Sequence, residues 1–347
     1  MRCGVHGVAI LALLAATLGC GGADSGPRGD IVGGDGTGGV SNEGPQTRPS
    51  MRTIVYLPSY VGTLNGWAAQ LQFTHVTHVN LSFADVSAAG GVTYPDPGLA
   101  AFVSAAHAEQ VKVCIAIGGA TTITNGGGVF ATVLTDAERP KLVDNLVNFV
   151  VDNQLDCLDV DLEGQGVNQY YEAFVTELAA RLKPMGKELT AAVAGWFGDA
   201  ITDNALAAFD FINVMAYDLF YEPNKPMQWS SMEAATAEVD KWVARGLPRD
   251  RVVYGVPFYG MRWTVDADGK AGPPATVGYG ALLRLDTAVL TQDQLDRSST
   301  VTYLNSRATI QAKAAVAKTY GGIMAWELSQ DATGEASLLR AIHEAVP

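Results

Sequence analysis

Eight short apolar runs, separated by segments of helical period, fill the chain from residue 52 onward. Nearly continuous apolar runs are typical of parallel strands that are buried on both faces. Because strands that alternate with helices are joined by right-handed crossovers, the pattern predicts a parallel sheet. Eight such strands predict a closed barrel of the α/β class, the (β/α)8 TIM barrel, and 347 residues are enough for this fold. The predicted strands are residues 53–57, 78–83, 111–117, 157–162, 189–194, 211–216, 252–257 and 322–326.

The helical segments support the same fold and lie at residues 97–109, 136–153, 168–183, 231–245, 307–320 and 335–345. A doubly wound open sheet is the rival fold. It is not favoured, because no Gly-x-Gly-x-x-Gly turn follows the first strand, and Gly118 and Gly119 lack a phosphate-loop lysine. Residues 261–306 are expected to be too few for an extra small domain. We therefore predict a barrel without a large insertion domain and with a shallow, open cleft.

The first residues are interpreted as a targeting segment. Arg2, an apolar run at 8–14 and small residues before Cys20 predict a signal peptide over residues 1–20. Cys20 ends a stretch that resembles the lipobox of bacterial lipoproteins, although Thr17 departs from that pattern. Residues 21–49 predict a flexible Gly/Ser-rich linker, followed by the barrel at 50–347. We expect an exported protein, lipid-anchored to the bacterial envelope through Cys20 or else secreted.

The charge balance of the chain indicates which partners to expect, and the positions of its cysteines bear on the state of their thiols. The 36 acidic residues outnumber the 23 basic ones and no Lys/Arg cluster occurs, so a nucleic-acid partner is not expected. A membrane would be contacted only through the lipid anchor. Cys114 and Cys157 lie inside predicted strands. We expect both to be buried free thiols, with a disulfide as the alternative in an exported protein.

Three carboxylates share one face of the fourth predicted strand. Asp159, Asp161 and Glu163 alternate with apolar residues, and strand geometry sends alternate side chains to opposite faces. Neighbouring buried acids have raised proton affinities, which chemistry often uses. Glu163 also ends its strand, where functional groups of a barrel gather. The rival interpretations are a solvated edge strand and a divalent-metal site, but the spacing fits neither a calcium loop nor a zinc cluster.

Aromatic and polar residues mark the ends of other predicted strands. Trp196 follows the fifth strand, Tyr217 and Asp218 follow the sixth, and Trp326 ends the eighth. Singly, such aromatics are more often core packing than ligand platforms. Together at one rim they favour a cleft for a sugar, whose apolar faces stack on aromatic rings.

The combined motifs resemble glycoside hydrolase family 18, the chitinase-like family, over about residues 52–347. Within that family the chain is similar to a bacterial single-domain chitinase. The signature Asp-x-x-Asp-x-Asp-x-Glu is matched by Asp156, Asp159, Asp161 and Glu163. The Met-x-Tyr-Asp sixth strand and the last-strand tryptophan are matched by Met215, Tyr217, Asp218 and Trp326.

The resemblance implies a retaining hydrolysis of β-1,4-linked N-acetylglucosamine glycans in which the substrate's own acetamido oxygen is the nucleophile. It implies that Glu163 is the general acid and base, that Asp161 orients the acetamido group, and that Asp159 shares a proton with Asp161. The implied partner is an N-acetylglucosamine-containing polysaccharide or oligosaccharide, with no cofactor and no metal. The substrate-binding residues expected are Tyr217, Asp218, Met215, Trp326, Trp196, Phe83, Gly118 and Gly119.

The chain departs from the family pattern at two positions. Ala116 stands where serine is common, and Cys157 stands where glycine is usual, which puts the hydrogen bonding around Asp159 in doubt. Two other functions stay open. One is an endo-β-N-acetylglucosaminidase that acts on N-glycans or on a peptidoglycan-related glycan. The other is a non-catalytic chitin-binding lectin, against which the presence of Glu163 counts.

Overall fold

The computed structural model describes residues 51–220, 222 and 224–346. Eight parallel strands form a closed barrel, in which each strand pairs with its neighbours in sequence and the eighth pairs with the first. All eight predicted strands, and with them the TIM barrel, are confirmed. The barrel strands are Arg52–Pro58, His78–Ser82, Lys112–Gly119, Cys157–Leu162, Glu188–Val193, Phe211–Val214, Val252–Pro257 and Gly322–Trp326.

The helices cover the outside of the barrel, and each predicted helical segment is confirmed. Many of them begin where a Ser or Thr side chain accepts a hydrogen bond from a backbone N–H of the first turn, as Ser231 does from Ala234. The short helices Leu64–Gln70, Asp203–Ala208 and Tyr279–Leu285 have too few turns for their period to show in the sequence. The α-helices of six or more residues in the described part of the chain are Leu64–Gln70, Leu99–Ala108, Arg139–Asp152, Tyr171–Leu182, Asp203–Ala208, Met232–Ala244, Tyr279–Leu285, Arg307–Ala317 and Leu338–Ala345.

The predicted signal peptide, the linker and Cys20 lie outside the described residues. Within the part of the chain that the structure describes, no helix combines the length and the apolar character needed to cross a membrane.

A small antiparallel sheet lies between the seventh and eighth barrel strands, and it corrects the expectation that residues 261–306 are too few for an extra unit. Its strands are Tyr259–Thr264, Ala275–Gly278, Gln294–Arg297 and Thr300–Tyr303. The first strand follows the seventh barrel strand almost directly and pairs on both sides. Trp263, on this strand, is buried in the same cluster as the barrel residues Tyr56 and Met324. The insertion therefore shares part of its core with the barrel.

The barrel strands separate two apolar regions. Leu158, Val160 and Leu162 pack outward into the large core between strands and helices. The barrel interior holds a smaller cluster that includes Tyr56, Ala116 and Tyr217, and Asp159 points into it. The predicted division of the fourth strand into an apolar face and an acidic face is therefore confirmed.

Cys114 and Cys157 form a disulfide, so the expectation of free thiols is wrong. The two residues are direct partners in the pairing of the third and fourth barrel strands, with their Cα atoms 4.4 Å apart. Both are fully buried. Cys157 has the parity of Asp159, so the bond lies on the inner side of the barrel, one residue pair below that carboxylate. Only the register brings the two thiols together, and the sequence does not supply it.

Candidate active site

The three predicted catalytic acids line the inside of the fourth barrel strand and its end. Asp159 is 0% exposed, Asp161 3% and Glu163 9%, so burial decreases toward the open end of the barrel. Glu163 is held at that end because its backbone N–H donates to Thr122 Oγ1 at 2.7 Å. Gly164 then turns the chain away with a φ of +51°, which favours glycine.

Asp159 is enclosed by hydrogen-bond donors from three other barrel strands. Its carboxylate accepts hydrogen bonds from Tyr56 Oη at 2.6 Å, Thr190 Oγ1 at 2.5 Å and Asn213 Nδ2 at 3.2 Å. Burial raises the pKa of Asp159, and these hydrogen bonds oppose that rise. Ala116, directly opposite Asp159 in the pairing, offers no hydroxyl, but the donors from the other strands take that role. The doubt about the hydrogen bonding of Asp159 is thereby removed.

Asp161 has a different environment from Asp159. Its Oδ1 atom is buried and has no hydrogen-bond partner among the described residues. Burial, followed by the charges of Glu163 and Asp159, raises the pKa of Asp161 well above its usual range. Two carboxyls two residues apart on one buried face titrate as a pair. Of the two, Asp161 is expected to hold a proton more readily, because hydrogen-bond donors stabilise the charged form of Asp159.

Glu163 can both donate and accept a proton near neutral pH. Burial raises the pKa of Glu163 to about 7, and the charge of Asp218 contributes to the rise. A general acid works best when its pKa lies near the operating pH. Among the three acids Glu163 is also the most exposed, so it is the one that a ligand from solvent reaches first.

The end of the sixth barrel strand adds Tyr217 and Asp218 to the site. Asp218 has a φ of +55°, and its Oδ2 accepts a hydrogen bond from Tyr259 Oη at 2.8 Å. Although part of the residue is exposed, the surrounding protein desolvates its carboxyl and raises the pKa of Asp218 to about 6. Trp229 stacks on Tyr259 with ring centroids 4.8 Å apart. Tyr217 is buried in the same aromatic cluster.

Trp326 lies across the barrel mouth beside two other rings. Its ring centroid is 5.4 Å from that of Tyr56 and 6.0 Å from that of Phe83. Trp326, Phe83 and Met215 are all half-buried, so each keeps a face toward the cleft or the solvent. Tyr56 thus contacts both Trp326 and Asp159.

Trp196 is an exposed aromatic residue close to Gly164, which follows Glu163. It is 48% exposed and packs edge-on against Phe197, with ring centroids 4.7 Å apart. A Cβ atom built on Gly164 would lie 3.1 Å from the Trp196 ring, so the indole rests against the residue that follows Glu163. This placement agrees with a platform at the cleft edge.

Gly118 and Gly119 have a structural reason to be glycine. Both have a positive φ, +107° and +78°. A Cβ atom at Gly118 would collide with the carbonyl oxygen of Asp161, and one at Gly119 would lie 2.6 Å from the Phe83 ring. The pair therefore lets the third strand approach the acid strand and Phe83 closely. Contact of these glycines with substrate stays a prediction.

Several residues of the site were missed by the sequence analysis. Tyr56, Thr190 and Asn213 hold Asp159, and Tyr259 holds Asp218. Thr190 and Asn213 are polar residues inside otherwise apolar strands, which is a signal that the sequence does contain. Tyr259 follows the seventh predicted strand and is therefore one of the strand-end aromatics. Tyr56 carries no such signal, because tyrosine is common in apolar strands.

The fold and the site agree with a match to a known family. The model of the glycosyl hydrolases family 18 matches residues 52–331, and the chain belongs to this family of glycosidases. The expected family resemblance is thereby confirmed.

Individual relatives point the same way. The GH18 chitinase ChiB of Flavobacterium johnsoniae superposes with a TM-score of 0.74 at 31% identity, covering 86% of this chain and 94% of that one. A chitinase-like effector of Moniliophthora roreri is 30% identical over 241 residues, 58% of both chains. Mouse chitotriosidase-1 is 32% identical over 200 residues, 46% of this chain and 43% of its own. The matched segments thus span about half the length of these two curated relatives.

Proposed function

We propose that this protein hydrolyses β-1,4-linked N-acetylglucosamine glycans, chitin or chitooligosaccharides, by substrate-assisted retaining catalysis. The observation that carries the proposal is the difference among three carboxyls on one strand face. Asp159 is held by three donors, Asp161 has an oxygen with no hydrogen-bond partner among the described residues, and Glu163 has a pKa of about 7 at the open end. A lectin would not need three neighbouring carboxyls in such different environments.

In the first step of the proposed reaction, Glu163 transfers its proton to the glycosidic oxygen as the bond from that oxygen to C1 breaks. The acetamido oxygen of the same sugar attacks C1 and forms a cyclic oxazolinium ion, and the shortened glycan leaves as an alcohol. In the second step Glu163, now ionised, takes a proton from water while that water attacks C1. The acetamido group is restored, and Glu163 ends protonated as it began.

Asp161 and Asp159 would stabilise the positive charge of the intermediate. The unpartnered oxygen of Asp161 is the acceptor available for the acetamido N–H, and a shared proton can move toward Asp159 as positive charge develops. The donors around Asp159 then hold that carboxyl in place. Tyr217 and Asp218 are the groups at the sixth strand end that could bind the acetamido group and the sugar.

The aromatic residues would position the sugars. Trp326 provides a flat floor in the barrel mouth, and Trp196 provides an exposed platform beside Glu163. Stacking on such rings buries the apolar faces of pyranose rings while their hydroxyls stay hydrated. We propose that the enzyme is endo-acting, with the insertion sheet as one side of the cleft.

We also propose that the protein is exported, either as a lipoprotein through Cys20 or in secreted form. The disulfide between Cys114 and Cys157 supports this proposal, because disulfides form and persist in oxidising compartments. Metabolic labelling of the full chain with a radioactive fatty acid tests the anchor. Label that persists in a Cys20→Ser variant would contradict lipidation at this residue.

Product analysis of the full chain on chitotetraose and on a high-mannose glycopeptide tests the proposed function. Cleavage of chitotetraose alone supports a chitinase, and cleavage of the glycopeptide alone supports the endo-β-N-acetylglucosaminidase. Binding of chitotetraose without cleavage of either substrate would overturn the proposal and favour the lectin.

A further inference from the structure

A buried lysine donates hydrogen bonds to the loop that follows the sixth barrel strand. Lys313, on the helix Arg307–Ala317, is fully buried, and its Nζ donates three hydrogen bonds. The acceptors are Ser230 O at 2.8 Å, Ser230 Oγ at 2.9 Å and Asn305 Oδ1 at 2.7 Å. An ammonium has three N–H donors and no acceptor, so every proton of Lys313 is used.

The acceptors of Lys313 belong to two loops that meet at the sixth barrel strand. Ser230 lies just before the helix Met232–Ala244, and its Oγ donates to Ala216 O at 2.8 Å. Asn305 follows the last strand of the insertion, and its Nδ2 donates to Ser230 O at 2.8 Å. Because Lys313 donates to Ser230 Oγ, the serine proton is left to point at Ala216. The lysine therefore sets the direction of this hydroxyl.

Ala216 directly precedes the two sixth-strand residues of the site, Tyr217 and Asp218. A second route leads to the same place, because Trp229, next to Ser230, stacks on the Tyr259 ring whose hydroxyl donates to Asp218. A fixed Ser230 therefore holds the backbone before Asp218. It also holds Trp229, which packs against Tyr259, the hydrogen-bond donor to Asp218.

Stability alone is a poor reason for this lysine. Each hydrogen-bond acceptor of Lys313 is neutral, and Asp293 and Glu233 act on it only through space. Burial lowers the pKa of Lys313 to about 7, because the charged form loses its hydration. A buried charge that no hydrogen-bonded carboxylate balances destabilises the fold relative to an apolar side chain of similar size.

We propose that Lys313 is a positioning residue that, through Ser230, holds Tyr217 and Asp218 in the geometry that the sugar requires. This inference rests on the proposed glycosidase function, because it assigns to Lys313 an effect on that same site. It predicts that loss of the ammonium moves Ala216, Tyr217 and Asp218 while the barrel stays folded.

The test compares Lys313→Met, which keeps the length of the side chain and removes the donors, with Ser230→Ala, which removes only the hydroxyl. Lys318→Met, at an exposed position one residue beyond the same helix, is the control. We expect kcat on chitotetraose to fall about 10- to 100-fold in both test variants, with a smaller change in KM, as for a small displacement of a positioning group. In the double variant kcat should fall no further than in the more strongly affected single variant, because Lys313 acts through Ser230.

The pH dependence of kcat separates positioning from loss of folded protein. Fewer folded molecules would scale the rate equally at every pH. Displacement of Asp218 in Ser230→Ala instead weakens the charge that raises the pKa of Glu163, so the alkaline limb of kcat should move to lower pH. Unchanged kcat and an unchanged limb in Ser230→Ala would overturn the inference, even if Lys313→Met does not fold.

Crystal structures of the variants test the inference independently of the proposed function. We expect Ala216 to lose its contact with Ser230, and Asp218 to move away from Tyr259. An unchanged segment from Ala216 to Asp218 in both variants would overturn the inference, whether or not the parent protein hydrolyses any glycan. Conversely, a parent protein without activity would refute the proposed function. The crystal structures of the variants would still show whether Lys313 and Ser230 position the segment from Ala216 to Asp218.

Discussion

Tyr56 donates a 2.6 Å hydrogen bond to Asp159 across the barrel interior, although 103 positions separate the two residues in the sequence. The same tyrosine ring lies 5.4 Å from the ring of Trp326. Tyr56, on the first strand, therefore contacts both Asp159, the innermost acid of the fourth strand, and Trp326 of the eighth strand. This link suggests that Tyr56 affects both the protonation of the acids and the position of the sugar.

Replacement of Tyr56 by Phe should lower kcat by about 10-fold or more, the effect of a hydrogen bond to a charged group, which contributes about 1.5–3 kcal/mol. The ring would still pack beside Trp326, so binding of chitotetraose should change little. Tyr254→Phe is the matched control, because the Tyr254 hydroxyl lies within reach of Thr236 on a surrounding helix. Equal losses in both variants would contradict the assigned role of Tyr56.

Replacement of Glu163 by Gln should lower kcat on chitotetraose by about 10²- to 10⁴-fold, since a positioned general acid contributes a factor of that size. The amide has nearly the same shape, so calorimetric binding of chitotetraose should survive. Glu109→Gln, on the exposed surface, serves as the control. Full turnover by Glu163→Gln would mean that another group supplies the proton.

The rate should fall as pH rises through about 7. Glu163 must be protonated to act as the acid, and burial raises its pKa to about 7. Because this pKa lies above the ordinary value for glutamate, the competent form is present below pH 7 and is lost above it. A profile of kcat/KM against pH measures this limb in the free enzyme. A rate that stays constant from pH 6 to pH 9 would be inconsistent with this assignment.

Removal of the acetyl groups from the substrate should abolish cleavage if the acetamido oxygen is the nucleophile. We expect chitotetraose to be cleaved, and its fully deacetylated counterpart to remain intact under the same conditions. Product release can be followed by chromatography with both glycans in one mixture. Similar rates on both glycans would refute substrate assistance while leaving a glycosidase function possible.

Replacement of both Cys114 and Cys157 by Ala should lower the free energy of unfolding by about 2–4 kcal/mol, because the disulfide closes a loop between positions 43 apart. Denaturant titration of the double variant and the parent measures the difference. The parent should resist reductant until it unfolds, since both cysteines are fully buried. A stability that is equal in the two proteins would show that the thiols are not joined in solution.

Much of this architecture could be predicted from the sequence, because it depends on local patterns. Apolar runs define the strands, helical period defines the segments between them, and alternation of side chains along residues 157–162 puts the acids on one face. Residues 261–306 show the limit of such patterns. Their strands are short and pair with one another on the rim of a barrel that supplies part of their core, so neither their sheet nor its position has a local signal.

The sequence alone thus determined the barrel and the acids at its mouth, since both follow from periodicities of a few residues. Only the tertiary structure decided which groups tune those acids. Tyr56, Thr190 and Asn213 reach Asp159 from three other strands, and Lys313 reaches Ser230 from a helix 83 positions away. The register likewise brings Cys114 to Cys157. These contacts depend on strand pairing and on barrel closure, which place distant residues side by side without a trace in the neighbouring sequence.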